Sequence, residues 1–320
     1  MSRVSDFAHR PVLLEEVLEL LAIKPQGVYV DCTLGGGGHA AAILDCLETG
    51  GLLVGLDQDD DALAAAGDRL AGLTSTAGRL LVRSNFSDLS DVMTGNQIAG
   101  ADGILADLGV SSWQLDEAER GFAYNQDGPL DMRMDRRRPM TAARLVNTAS
   151  EAELTRILQE YGEERYARRI SRAIVVRRAR EPFTTTGELS DLIRSAMPAA
   201  ARQEAQHPAK RSFQALRIAV NGELDALAQL LAEAPRHLKE GGRLCIITFH
   251  SLEDRLVKDA FRTLMNPCIC PRDLPVCACG RVSQGRVITR RPVMASPSEQ
   301  AANPRSRSAR LRCFEKSSDQ

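Results

Sequence analysis

No stretch of about 18 consecutive apolar residues occurs in the chain, which excludes a membrane-spanning helix. The first eleven residues carry Arg3, Asp6, His9 and Arg10 and no apolar core, so a secretion signal is not expected there. No self-similarity at a period of roughly 20–50 residues is visible, which sets aside solenoids and propellers. Net charge is nearly absent too, at −1, and taken whole it argues against a polyanionic partner. What is present is the composition of an ordinary soluble globular protein, 43% hydrophobic and 26% charged, neither disordered nor fibrous. A length of 320 residues suggests two domains, or one large domain with an insertion.

The charge is unevenly laid out. Residues 1–116 hold 17 acidic against 6 basic side chains, residues 117–222 hold 14 against 19, and residues 223–320 hold 11 against 16. An acidic first third joined to two basic thirds suggests that one surface meets a polyanion while another part does something else; solvated basic helix faces are the plainer alternative. Eight cysteines without a secretion signal point to a reducing, cytoplasmic setting. Four of them, Cys268, Cys270, Cys277 and Cys279, form two C-x-C pairs six residues apart. Structural zinc more often uses C-x₂₋₄-C, so a zinc knuckle and a Pro-bounded loop of reduced cysteines both stay open and no metal ligand is assigned.

An amphipathic helix is expected over 11–23, from Val12, Leu13, Val17, Leu20 and Leu21. Short apolar runs at 28–30, 52–56, 80–82 and 103–106 follow, with helix-like stretches such as 40–47 and 62–70 between the first three. Strands alternating with helices predict a parallel sheet with right-handed crossovers. The rhythm stops after Asp107. Residues 117–222 carry almost no strand signal, and 150–161, 163–176, 186–196 and 212–231 read as helices. Ser150 with Glu153, and Thr185 with Glu188, have capping-box spacing. The strand pattern returns at 243–249, and 286–290 and 308–314 are two β-like runs able to pair antiparallel at a sheet edge. The pattern is an α/β domain, 1–116 with 223–320, interrupted by a helical insertion, 117–222.

Val28-Tyr29-Val30-Asp31-Cys32-Thr33-Leu34-Gly35-Gly36-Gly37-Gly38-His39 reads as a strand, a Gly-rich turn and a helix start. Such glycines let a ligand approach the backbone more closely than a Cβ allows. The next strand ends in Asp57, placed to accept both hydroxyl protons of an adenosine ribose. Asp31 precedes the loop on the strand itself; it repels a phosphate and suits an ammonium group, as in the methionine part of S-adenosylmethionine. A merely flexible turn is the alternative. Asp102-Gly103-Ile104-Leu105-Ala106-Asp107 puts another acid, Asp107, at the carboxyl end of the fourth strand, where open α/β sheets bind ligands.

Nearly the whole chain resembles the bacterial cytosine-N(4) methyltransferases of small-subunit ribosomal RNA, the RsmH (MraW) family. The resemblance is carried by His9-x-Pro11-Val12-Leu13-Leu14, Thr33 to His39, Asp107 to Ser112, Arg120-Gly121-Phe122 and Asp127-Gly128-Pro129-Leu130-Asp131-Met132-Arg133-Met134. It continues through Tyr161-Gly162-Glu163-Glu164-Arg165, Phe213-Gln214-Ala215-Leu216-Arg217-Ile218, Phe249-His250-Ser251-Leu252-Glu253-Asp254-Arg255 and Asn303-Pro304-Arg305-Ser306-Arg307-Ser308. It implies a class I S-adenosylmethionine-dependent methyltransferase with a Rossmann-like sheet and an inserted helical, RNA-recognising domain. It also implies 16S ribosomal RNA in an assembling or assembled 30S particle as substrate, no membrane partner, and a homodimer as one possible state. Matched by position, Gly37, Gly38, His39, Asp57, Phe86, Asp107 and Gln114 would contact the cofactor. Two positions depart from the pattern: Trp113 stands where other members have Pro, and Lys210 where Thr is frequent.

Amino-methyltransferases often place an acid or amide before Pro-Pro and an aromatic; here Asp107-Leu108-Gly109-Val110 keeps only the acid. Asp107 is therefore the expected catalytic residue, with the Leu108 carbonyl as a second acceptor of amine hydrogens; a purely cofactor-orienting Asp107 is the rival reading. Trp113, Phe122 or Tyr124 would stack the target base. His250 is either a proton relay or RNA contact, or a hydrogen-bonded structural histidine. Arg165, Arg168, Arg169 and Arg172, spaced as one helical face, are expected with Arg133, Arg136, Arg137 and Arg138 to track phosphates, and Arg305 and Arg307 to add to them. A nicotinamide-dependent dehydrogenase and a non-catalytic RNA-binding assembly factor are the competing classes.

Overall fold

A computed structural model describes residues 11–204, 206–271, 276 and 278–317. His9 of the leading motif, the charged residues before it and Cys277 lie outside them. The chain divides into two compact units, Met1–Gly109 with Leu224–Gln320, and Val110–Glu223.

The first unit is built on seven strands: β1 Val28–Asp31, β2 Leu52–Asp57, β3 Gly78–Arg83, β4 Ala101–Asp107, β5 Leu238–Thr248, β6 Gly285–Val287 and β7 Arg310–Lys316. Their order is β3-β2-β1-β4-β5-β7-β6, parallel from β3 to β5, with β7 antiparallel to both β5 and β6. The expected antiparallel edge pair is thus β6 and β7. Every residue of β4 before Asp107 is buried, because a central parallel strand is covered on both faces. One face packs Val30, Val54, Ile104, Leu244 and Ile246; the other packs Leu13, Val17, Leu53, Leu105 and Ile247. The helix Leu14–Leu21 lies in the second of these layers, burying Val17 and Leu21. β5 is longer than its apolar run. It begins at Leu238 and passes through Gly241, at φ +69°, with a register shift between Ala101 and Gly103 opposite.

The second unit is helical, with its own core of Leu154, Ile157, Ile170, Ile174, Leu189, Ile193, Phe213 and Leu216 among others. Helices span Ala142–Thr148, Glu151–Glu160, Ala167–Arg178, Thr186–Ala196 and Lys210–Asn221. Thr185 and Glu188 form the expected reciprocal capping box, and the Ser150 hydroxyl accepts from the Glu153 N–H at 3.1 Å. One expectation fails: 212–231 is not one helix. Gly222, at φ +66°, ends the helix at Asn221, and a new one runs over Glu223–His237. Among the described residues, no helix is long and apolar enough to cross a membrane.

Candidate functional site

The sheet reverses its winding between β1 and β4, the point at which an open α/β sheet leaves a crevice at its carboxyl edge. β1, β2 and β4 end there in Asp31, Asp57 and Asp107. After β3, Phe86 opens a single turn, Phe86–Asp88, capped by the Asn85 side chain, which accepts from the Ser87 N–H at 3.0 Å.

The loop after β1 is fixed by backbone hydrogen bonds to β2 and within itself. The Leu34 N–H donates to the Leu56 carbonyl at 2.9 Å and the Gly37 N–H to the Leu34 carbonyl at 2.8 Å. Gly35 and Gly37 take φ +49° and +72°, the left-handed region that favours glycine. A Cβ on Gly37 would stand 3.0 Å from the Ala66 Cβ, and one on Gly38 would stand 2.5 Å from Pro11 Cγ. These two glycines therefore have an internal reason beside the ligand approach read from the sequence: they seat the helix Gly38–Asp45 against its neighbours.

Each of the three acids is tied into the loop or its neighbours by hydrogen bonds. The Gly35 N–H donates to Asp57 Oδ2 at 2.8 Å and the Asp59 N–H to Asp57 Oδ1 at 2.9 Å. The Thr33 N–H donates to Asp31 Oδ1 at 3.1 Å, while the Thr33 hydroxyl oxygen accepts from the Asp107 N–H at 2.6 Å. Thr33 thus ties the end of β1 to the end of β4, a role with no signal in the local pattern. Burial pushes Asp31 up to about 7, helped by the charge of Asp57; burial also pushes Asp57 up to about 6. Asp107 is held well above the usual carboxylate range by burial and by the charges of Asp31 and Glu253. At the other end of β4, Asp102 bonds Lys24 at 2.9 Å, Lys239 at 2.6 Å and the Val28 N–H at 3.0 Å, and these donors outweigh burial and hold its carboxyl down at about 2. One strand therefore carries at one end an acid whose pKa its donors hold down and at the other an acid whose pKa is pushed up.

Asp107 Oδ1 is buried without a hydrogen-bond partner among the described residues. His39, buried at the start of its helix, sets Nε2 3.0 Å from the Val12 carbonyl and Nδ1 3.7 Å from Asp107 Oδ2. Glu253, buried and 3.1 Å from His250 Nε2, accepts from the Phe249 N–H at 2.8 Å. His250 Nδ1 in turn accepts from the Glu253 N–H at 3.4 Å, so His250 caps the helix Ser251–Met265. That geometry gives His250 a helix-capping part, beside which the proton-relay or RNA-contact reading stands untested. Glu253 itself was missed, although His250 and Glu253 have capping-box spacing.

In the second unit, Gln114 is buried and its Oε1 accepts from the Ser111 N–H at 3.0 Å, completing a capping box for Ser112–Asp116. Phe122 lies in the core of that unit, Tyr124 stacks on His207 at 4.6 Å between ring centroids, and Arg120 stands over Trp113 at 5.2 Å. Packing leaves Phe122 no open face for a base. Arg120 is 1% exposed and its Nη2 donates to the carbonyls of Arg133 and Met134. The basic face also changes. Arg165 precedes the helix Ala167–Arg178 and pairs with Glu204 at 2.7 Å, leaving Arg168, Arg169 and Arg172 exposed along it. Arg133 is bidentate on Asp131, Arg137 on Asp135, and Arg138 donates to the Asn221 carbonyl at 2.6 Å.

Residues 6–317 match the model of the family described as MraW methylase family. A Symbiobacterium thermophilum protein named Ribosomal RNA small subunit methyltransferase H is 56% identical over 310 residues, 97% of each chain. A Heliobacterium modesticaldum protein of the same name is 56% identical over 311 residues, covering 97% of this chain and 99% of its own. A solved rRNA methylase of Streptococcus thermophilus aligns over 98% of this chain and 99% of its own, with a TM-score of 0.44 at 11% identity, a likeness too slight to add to those two.

Proposed function

The chain belongs to the MraW methylase family, and from that premise we propose that it methylates the exocyclic N(4) amine of a cytosine in 16S ribosomal RNA. It is an S-adenosylmethionine-dependent methyltransferase, its α/β unit is of the class I type, and its substrate is small-subunit ribosomal RNA. The observation that carries the reaction is Asp107 at the carboxyl end of β4, with a buried Oδ1 that has no hydrogen-bond partner among the described residues. A buried acceptor in that state fits a donor that arrives with a ligand.

The residues present suit the cofactor. Asp31, Asp57 and Asp107 offer carboxyls to a molecule bearing sulfonium and ammonium cations and two ribose hydroxyls. Asp57 would take the ribose, the backbone at Gly37 and Gly38 would border the methionine part with Asp31, and Phe86 would lie beside the adenine. His39 would brace this loop through its bond to Val12. Gln114 is proposed with them on the family resemblance alone. When bound, S-adenosylmethionine supplies an electrophilic methyl group on sulfur.

The remaining chemistry belongs to the chain. A cytosine amine is a weak nucleophile because its lone pair is delocalised into the ring. Acceptors on its N–H groups draw that lone pair back onto nitrogen, and holding the amine in line replaces a costly bimolecular encounter. Asp107 and the Leu108 carbonyl are proposed as those acceptors, with Asp107 receiving a proton from the amine. The second unit, +5 in net charge over 117–222 and carrying exposed Arg168, Arg169 and Arg172, is proposed to bind the RNA. An assembling or assembled 30S particle as the form of the substrate, a cytoplasmic location and a homodimeric state belong to the same proposal.

Methyl incorporation from labelled S-adenosylmethionine into purified small subunits and into naked 16S RNA, followed by mapping of the modified base, tests it. The expected product is one N(4)-methylated cytosine, formed preferentially in the particle. Label on a ring carbon, on a sugar, or on no RNA at all would overturn the assignment. Sedimentation of the protein alone checks the dimer.

A further inference from the structure

Between the helix Ser251–Met265 and β6, the chain leaves the fold and returns to nearly the same place. The Gln284 N–H donates to the Leu264 carbonyl at 2.9 Å, and the Ser317 N–H donates to the Gln284 carbonyl at 3.0 Å. The excursion between them, residues 265–283, is nineteen residues long, well beyond an ordinary connection. Among its described residues none is buried, and Ile269, Val276 and Val282 are 65%, 76% and 80% exposed. Without an apolar core among its described residues, the segment cannot offset the entropy of holding one conformation. Something else has to hold it.

Three cysteines converge inside this excursion. The sulfurs of Cys268, Cys270 and Cys279 all lie within 4.8 Å of one another, and those of Cys279 and Cys268 are 3.9 Å apart. The Ala278 N–H points at Cys270 Sγ at 3.3 Å. Tetrahedral zinc holds thiolates at about 2.3 Å, which sets sulfurs roughly 3.8 Å from each other. The observed separation is already close to that value, and a backbone N–H aimed at sulfur is a partner suited to a metal-bound thiolate. The sequence left C-x-C spacing as a poor match to zinc because it considered each pair along the chain. In space the ligands come from both pairs, and the short spacing matters less than the proximity of Cys279 to Cys268.

We infer that Cys268, Cys270 and Cys279 form a thiolate site for a structural zinc ion that staples the 265–283 excursion. The site contains none of the residues proposed for the cofactor or the methyl acceptor, so its work is to fix this loop and not to carry the reaction. Binding deprotonates the cysteines and releases those protons to solvent, with no change of oxidation state. Its free energy becomes conformational free energy of the loop, replacing the core that the segment lacks.

Full-length protein purified under reducing conditions should hold about one zinc ion per chain after extensive dialysis. Cobalt(II) exchanged into it should give the visible bands of a tetrahedral site with thiolate charge transfer. The Cys268→Ser/Cys279→Ser double variant should lose at least about nine-tenths of the metal, because two of three thiolates are gone. Its thermal shift with S-adenosylmethionine should persist, while limited proteolysis should now cut after Pro267. Wild-type protein that retains no metal and gives no tetrahedral cobalt spectrum would overturn the assignment, as would a double variant with undiminished zinc. The cobalt spectrum is read on the wild-type chain, so poor folding of the variant leaves the test intact.

Discussion

His39 Nδ1 stands 3.7 Å from Asp107 Oδ2, and it presents a lone pair, not a proton, to the carboxyl group. The reason lies on the other side of the ring. Nε2 is 3.0 Å from the Val12 carbonyl, which can only accept, so Nε2 carries the hydrogen. Burial pushes His39 down to about 4, which keeps it neutral at physiological pH. An ionised Asp107 would then face a second acceptor on one side and Asp31 and Glu253 on the other. The chain alone favours a protonated Asp107, and a bound cation favours releasing that proton.

Cofactor affinity should therefore rise with pH. Asp31 and Asp57 hold protons up to about 7 and 6 in the folded chain, against 3.8 for an unperturbed carboxyl. The unfolded chain binds fewer protons over that interval, so stability of the ligand-free protein falls as pH rises from about 4 to about 7. A cationic ligand reverses the effect by stabilising the ionised forms. Calorimetry between pH 5.5 and 7.5 should show S-adenosylmethionine binding tightening by about tenfold per pH unit for each proton released. S-adenosylhomocysteine, without the sulfonium charge, should show a shallower slope. Equal slopes for the two ligands would dissociate these acids from the sulfonium.

Asp107→Asn separates the two roles open to that residue. An amide keeps the shape and one acceptor but cannot take a proton. If Asp107 receives the amine proton, methyl transfer should fall about 10²-fold or more, with cofactor Kd within about threefold of wild type. Loss of cofactor binding with little further loss at saturation would make Asp107 an orienting group.

The glycine loop makes an ordered prediction for stability. A Cβ at Gly35 would meet only the Thr33 carbonyl oxygen, at an unstrained 3.9 Å, so Gly35→Ala bears mainly the cost of a left-handed φ, about 1 kcal/mol. Gly37→Ala bears the same cost and presses on Ala66 as well, so it should cost about 2 kcal/mol or more. Denaturant unfolding should rank them in that order. The reverse order would mean that the helix Asp60–Ala71 yields easily.

How far these features were legible depends on the range of the interaction involved. Within β4 the apolar run 103–106 ends in an acid, so its depth in the sheet and the position of Asp107 followed from local pattern. The Thr185 and Glu188 cap was legible for the same reason. Gly222 was not, because Phe213 and Leu216 before it and Leu227 and Leu230 after it keep up helical periodicity across the break. Arg165 was misplaced because the chain turns before it, with Glu163 at φ +48°, and the helix begins only at Ala167. The protonation of the three acids was out of reach, since it depends on how strands distant in sequence bury one another's ends.

Pairing decides which arginines can serve RNA, and it yields a measurable difference. Each arginine that neutralises a phosphate contributes to the slope of log affinity against log salt, roughly 0.7–0.9 per contact. Arg168, Arg169 and Arg172 are exposed on one helix, so replacing all three with Ala should lower that slope by about 2 or more and weaken RNA binding at low salt. Arg133 is different. Its guanidinium is already engaged by Asp131 at 2.7 Å through both Nε and Nη2, and its Nη1 donates to the carbonyls of Arg136 and Arg138. Removing it leaves a carboxylate and two carbonyls short of donors, so Arg133→Ala should act mainly on stability, by about 1–3 kcal/mol, and leave the salt slope nearly unchanged. Titrations of wild type, triple variant and Arg133→Ala over several salt concentrations resolve the two classes. A salt slope that drops as much for Arg133→Ala as for the triple variant would mean that RNA displaces Asp131, and the division between structural and RNA-facing arginines would have to be redrawn.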